Sequence, residues 1–207
     1  MSKVVYWFYS VENQKRGLPH IHLCVKLEES VNTVERIDQL IRAEIPGEDE
    51  PALRSIVLGK NIHGPCNVHC LVNGTCKKGF PKQVNKVTHL TTNDYPRYKR
   101  GEGQTEYNGR VYDNRYVVPY NAWLSLKYQS HINVEVSSSL LTVKYLNKYI
   151  TKGYDLADVD VRTGESEVER FRNVRYLTGM EAMWRIFESA LSGNHRRRSS
   201  PFDPFGC

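Results

Sequence analysis

An apolar run, a polar turn and a second apolar run set the tightest constraint on what this chain can fold into. Residues 4–12 read Val-Val-Tyr-Trp-Phe-Tyr-Ser-Val-Glu, β-branched and aromatic side chains that favour a pleated strand. Residues 13–19 are polar and include Gly17 and Pro19, and a second strand is predicted from His20 to Leu27. The two form an antiparallel hairpin. Side chains alternate faces along a strand, so His20 and His22 share one face while Ile21 points toward the core. Two imidazoles one pleat apart can chelate a single divalent ion, although His-x-His also occurs on ordinary half-exposed strands.

Hard cations such as Mg²⁺ and Mn²⁺ want oxygen, which two histidines do not supply. Glu12 ends the first strand, across the turn from His20, where its carboxylate can join the histidines. Gln14 is a competing amide-oxygen ligand placed in the turn itself. Glu12, His20 and His22 therefore make a candidate site with open positions for phosphate oxygens. A solvated glutamate at a strand end is the alternative.

Far downstream, residues 137–152 are predicted to be a helix, with a serine cap and Gly153 at its C-terminal end. Tyr145 and Tyr149 lie four apart, about 40° from each other in projection, so they share a face. Val143, Leu146 and Ile150 define a different, apolar stripe. Lys144, Lys148 and Lys152 border the tyrosines. A free phenol has a pKa near 10, and neighbouring cations favour its phenolate, the nucleophilic form. The same lysines can position phosphates. A metal pair with a tyrosine pair is what a DNA-nicking enzyme with a covalent intermediate needs.

Between these ends, residues 33–43 have helical spacing with Asn32 or Thr33 as cap, and residues 52–58 read as a further helical turn or two. His63, Cys66, Cys70 and Cys76 then offer one imidazole and three thiolates, a full tetrahedral set for Zn²⁺, with His69 as a spare. Gly64, Pro65, Asn73, Gly74 and Gly79 leave this segment too little apolar content to fold without a staple. Residues 83–113 read as loop with a short hairpin around residues 107–110, residues 116–119 and 131–136 as strands, 122–128 as a helix, and 180–191 as a last amphipathic helix. Cys24 stands alone on the hairpin strand and reads as structural, and Cys207 ends a loose tail.

The 207 residues suffice for one domain with an appended subdomain. Five cysteines are an odd number, and their clustering argues for metal over a disulfide framework. There is no apolar run of about 18 residues, so no membrane span is expected. The first residues lack a secretory signal profile. A net charge of +6 suits a polyanionic partner without proving one.

Taken in order, residues 12–22, 43–46, 62–66, 76–82, 114–121, 131–135 and 144–149 resemble the rolling-circle (HUH) endonuclease domain of Helitron transposons, also called the Helitron helicase-like domain. The resemblance spans nearly the whole chain. It implies an α+β fold, a ferredoxin-like antiparallel sheet with flanking helices, into which the cysteine-rich zinc-binding segment read above would be inserted. It also implies a Mg²⁺ or Mn²⁺ ion held by His20 and His22. Tyr145 and Tyr149, with Lys148 beside them, would be the catalytic pair. One tyrosine attacks a single-stranded DNA phosphate, leaving a 5′-phosphotyrosine and a free 3′-hydroxyl. Lys144, Lys152, Arg115, Lys77 and Lys78 are the candidate DNA contacts, and a nuclear location follows from the family.

The endonuclease-like domain is expected over residues 1–192, with 59–115 the Cys/His-rich, basic insertion and 193–207 a flexible basic tail. Two family features are expected to be missing: the strand upstream of the hairpin and the helicase domain that normally follows. The expected partner is single-stranded DNA, with no membrane. Two functions stay open at this level. One is a metal-dependent endonuclease and strand transferase; the other is an inactive, zinc-stapled DNA-binding remnant. A metal-dependent hydrolase acting through water is a third idea, but it has no use for the tyrosines.

Overall fold

The β-branched and aromatic run forms strand β1 (Val4–Asn13), and the histidine segment forms β2 (Pro19–Leu27), paired antiparallel. In this computed structural model, the described residues are 2–13, 18–64, 66, 70–91, 96–136, 183, 186–187 and 192–196. The chain divides into two units, one made of Met1–Ser30 with Leu141–Cys207 and the other of Val31–Leu140. Together they give a mixed α+β chain with small antiparallel sheets.

In the first unit the hairpin gains a third strand on the other edge of β1. A flexible tail from Gly193 onward is therefore corrected at residues 193–196. The segment Ser192–Arg196 pairs antiparallel with Tyr6–Ser10 of β1. An open strand edge offers a row of unmet backbone donors and acceptors, and pairing with it outweighs the segment's polar composition. Residues 197–207 lie outside the described residues, as does most of the helix expected over 180–191. Within that helix, Met183 and Ile186 are helical and Phe187 N–H donates to the Met183 carbonyl.

The orientation of the hairpin also needs correction. Ile21 is 57% exposed, and Leu23 and Val25 on its face are exposed too. The half-buried face is the one carrying His20, His22 and Cys24. Val11, opposite Ile21 on the same face, is buried, and among the described residues neither apolar core cluster includes a hairpin residue.

The second unit starts with α1 (Val34–Leu40), capped by the Thr33 hydroxyl, which accepts from the Arg36 N–H. It is shorter than expected, because Arg42 leaves the helix to exchange backbone hydrogen bonds with Tyr120. Helix α2 (Pro51–Lys60) follows, with proline at its start where a missing N–H costs nothing. Short hairpins come next: β3 (Leu71–Val72) with β4 (Thr75–Cys76), β5 (His89–Leu90) with β6 (Pro96–Arg97), and β7 (Gln104–Tyr107) with β8 (Arg110–Asp113). The last turns at Asn108 and Gly109, both at positive φ, as expected for that hairpin. Helix α3 (Ala122–Tyr128) is capped by Asn121. The segment expected as a 59–115 insertion lies inside this unit.

Two strands expected here do not form. Residues 114–116 make a single 3-10 turn, begun by the Asp113 carboxylate accepting from Arg115 N–H. Val117 then makes an isolated bridge to Ile62. Residues 131–136 are irregular, because each polar group finds a different partner. The Asn61 amide bonds both Ile132 backbone groups, Val134 N–H donates to the Pro119 carbonyl, and Val136 N–H donates to the Tyr98 hydroxyl.

One core cluster joins Ile37, Ile41, Ala43 and Tyr98; a second joins Leu53, Val57, Val117 and Tyr120. Arg100 is buried beside them and donates to the carbonyls of Ala43, Asn114 and Val117 at 3.2, 2.7 and 2.7 Å. Burial lowers its pKa to about 10, with Glu44 opposing that shift. It remains a cation at neutral pH.

Candidate metal centres

The hairpin register decides which side chains meet. Glu12 lies directly opposite His20, and Ser10 directly opposite His22. Residues opposed in this way share a face, so Glu12, His20 and His22 occupy one patch. His22 Nε2 is 3.3 Å from Glu12 Oε2, and the two imidazole centroids are 4.7 Å apart, edge to face. The His22 side chain is 13% exposed and that of Glu12 35%. A carboxylate and an imidazole nitrogen this close share a proton or a cation. Two imidazoles with one carboxylate suit Mn²⁺ better than Mg²⁺, whose preference for oxygen is stricter. Gln14, the competing ligand, lies outside the described residues.

The second centre is assembled by backbone geometry around the end of α2. Asn61 caps that helix, Ile62 bridges to Val117, and His63 N–H donates to the Tyr116 carbonyl. Gly64, at φ +122°, turns the chain toward Cys66. Cys70 and Cys76 are brought together by the β3–β4 hairpin, whose turn places Asn73 and Gly74 at positive φ. Lys77 N–H closes that hairpin on the Cys70 carbonyl at 2.9 Å. The His63 ring stacks on Phe80 with centroids 4.2 Å apart, which fixes the direction of its nitrogens.

His63 Nε2 is thereby 3.2 Å from Cys76 Sγ, 3.3 Å from Cys66 Sγ and 3.7 Å from Cys70 Sγ, and the last sulfur is 3.6 Å from that of Cys76. One imidazole nitrogen cannot hydrogen-bond three sulfurs at once. Ligand bonds of about 2.3 Å to sulfur and 2.0 Å to nitrogen give tetrahedral edges of about 3.5–3.8 Å. The observed separations lie near those edges. Among the described residues this is the one group of three or more His, Cys, Asp or Glu whose donor atoms all fall within 4.8 Å of one another. The donor set fits zinc.

The electrostatics of the sulfurs agree with that fit. N–H groups of Phe80 and Lys78 point at Cys76 and, with Cys70 and His63, lower its thiol to about 6 against the opposing effect of burial. Cys66 is pushed up to about 11, first by its hydrogen bond to Cys70 and then by burial. Crowded sulfurs cannot all ionise unless a cation joins them. The lone Cys24 is different: burial raises its pKa, as for a packed thiol.

No protein-family model matches the chain, and no curated protein matches it.

The remaining expected residues divide clearly. Lys77 and Lys78 are exposed beside Cys76. Arg115 is bound to Asp113, with NH2 2.6 Å from the carboxylate, so its guanidinium orders the 3-10 turn. That pairing holds Asp113 below its usual range, although burial acts to raise it. Tyr145, Tyr149, Lys144, Lys148 and Lys152 lie outside the described residues, as does His69. Sequence reasoning missed Asn61, Arg100 and Phe80, which position the zinc set and its supporting core. Only Phe80 carries a sequence signal, an aromatic residue just beyond the last cysteine.

Proposed function

We propose that the chain is a metal-dependent single-stranded DNA endonuclease and strand transferase of a rolling-circle, Helitron-like transposon. It would act in the nucleus on a ferredoxin-like HUH sheet, with a separate structural zinc. The observation that carries this reading is the pairing of Glu12 with His20 and His22 on one face of the β1–β2 hairpin. Glu12, His20 and His22 would hold Mg²⁺ or Mn²⁺. That ion, when bound, supplies polarisation of the scissile phosphate.

Within this reading, the phenolate of Tyr145 or Tyr149 attacks the phosphorus. A tyrosine–phosphate bond forms, the bond to the 3′ oxygen breaks, and that oxygen takes a proton to become a free 3′-hydroxyl. Lys148 favours the phenolate, while Lys144 and Lys152 hold flanking phosphates. The second tyrosine serves the return step, in which a 3′-hydroxyl attacks the phosphotyrosine and restores the phenol.

One observation favours a second reading. The zinc set converges fully, whereas Glu12, His20 and His22 do not form a converged group of donor atoms. A zinc-stapled DNA-binding module without catalysis would need only the first. Incubation with a single-stranded oligonucleotide and Mn²⁺, followed by a denaturing gel, separates the two. A covalent adduct supports the endonuclease, and salt-sensitive binding without adduct supports the module.

A further inference from the structure

The acidic residues of the second unit are distributed unevenly along its sequence. Residues 51–93 and 114–134 contain no Asp or Glu at all. The first segment carries Arg54, Lys60, Lys77, Lys78, Lys82 and Lys86; the second carries Arg115 and Lys127. The fold brings these two segments together. Helices α2 and α3 pack on each other, Val118 N–H donates to the Asn61 carbonyl, and Lys82 N–H donates to the Arg115 carbonyl. Asn61 also clasps Ile132. These two acid-free segments therefore meet in one region of the unit, bordered by Asp113, which pairs with Arg115, and by Glu135, whose charge acts on Lys82.

On that region, α3 presents an unusual outer side. Its inner side is anchored by buried Ser125, while Trp123 and Tyr128 are 48% and 52% exposed. Lys127 sits between them, its Nζ 4.7 Å from the Trp123 ring centroid and 5.6 Å from that of Tyr128. Lys60, exposed at the end of α2, reaches the Gln129 carbonyl beside this cluster. A protein partner with an apolar interface would have to strip water from Lys127 at its centre, and interface cores are depleted in such charges. A polymer alternating flat bases with phosphates uses both groups: rings stack on bases, and the ammonium meets phosphate.

We infer that the α3 face, Trp123, Lys127 and Tyr128 with Lys60 beside them, is a stacking surface for single-stranded nucleic acid. It belongs to the second unit and does not depend on cleavage at the hairpin. Stacking reads neither the sugar nor the sequence, so DNA and RNA strands share this chemistry.

The test uses the full zinc-loaded chain carrying His20→Ala, so that cleavage at the hairpin plays no part. Fluorescence anisotropy is read with labelled oligo(dT) and oligo(U) of about 20 nucleotides. Trp123→Ala and Tyr128→Ala are each expected to weaken binding by roughly tenfold, and Trp123→Phe to retain most of it. Lys127→Gln should reduce the slope of log affinity against log salt by about 0.7. Equal losses with both strands support a surface blind to the sugar, and loss with one strand alone would contradict it. Undiminished affinity in the Trp123→Ala, Tyr128→Ala double variant with full zinc content would overturn the proposal. If that variant fails to hold zinc, Lys127→Gln with an unchanged salt slope overturns it instead.

Discussion

Glu12 and His20 face each other directly across the β1–β2 ladder, and the same carboxylate lies 3.3 Å from His22 Nε2. The hairpin register thus places a carboxylate beside two imidazoles. Glu12→Ala is expected to raise the Mn²⁺ concentration needed for half-maximal cleavage by tenfold or more, and Glu12→Gln to raise it less, on the scale typical for losing a ligand contact. Gln14→Ala should have the smaller effect, and a metal titration of cleavage compares the three.

His20→Ala and His22→Ala are each expected to abolish cleavage while leaving oligonucleotide affinity within about twofold, because binding rests on Lys and Arg contacts to phosphate. Parallel cleavage and anisotropy measurements on the same preparations check this. Parallel loss of binding would show that the histidines serve the fold or the strand contact instead.

The reduced protein is expected to hold one Zn²⁺ through His63, Cys66, Cys70 and Cys76, measurable by elemental analysis. Cys76→Ser should lower zinc occupancy and destabilise the second unit by several kcal/mol, since zinc binding and local folding are linked. Each ligand must lose its proton to bind, so affinity should fall as pH falls, and acid should release the ion. A zinc-free preparation with an unchanged melting temperature would contradict the assignment.

Arg100 donates to three backbone carbonyls from a buried position. Arg100→Ala removes a donor from each of those carbonyls, of which Asn114 keeps the Val117 N–H, and is expected to cost about 3–5 kcal/mol. All three bonds come from one guanidinium nitrogen, so Arg100→Lys keeps the charge and a single donor nitrogen on a differently shaped side chain, and should cost less. Urea unfolding of the zinc-loaded protein reads both.

Much of the candidate site was legible because it depends on local periodicity. Strand alternation placed His20 and His22 on one face, and ligand chemistry alone grouped His63, Cys66, Cys70 and Cys76. The three helices of the second unit and the hairpin at Asn108 followed from spacing and turn chemistry. What failed depends on distant partners. Alternation says which residues share a face, not which of them are covered, so it does not reveal that Ile21 is exposed while Val11 opposite it is buried. Residues 131–136 alternate like a strand, but Asn61, Pro119 and Tyr98 each take a different backbone group, so no ladder forms. Residues 193–196 look like a polar tail, yet the open edge of β1 recruits them. No local signal marks Arg100 as buried.

The most direct test of the account concerns Tyr145 and Tyr149. Wild-type protein incubated with Mn²⁺ and a 5′-labelled and a 3′-labelled single-stranded oligonucleotide is resolved on a denaturing gel. The expected result is an adduct carrying only the 3′ label, in which the DNA 5′-phosphate is joined to tyrosine. Tyr145→Phe and Tyr149→Phe should reduce it unequally, and the double variant should abolish it. An adduct that persists in the double variant, or no adduct from wild-type protein with full metal, would contradict the account.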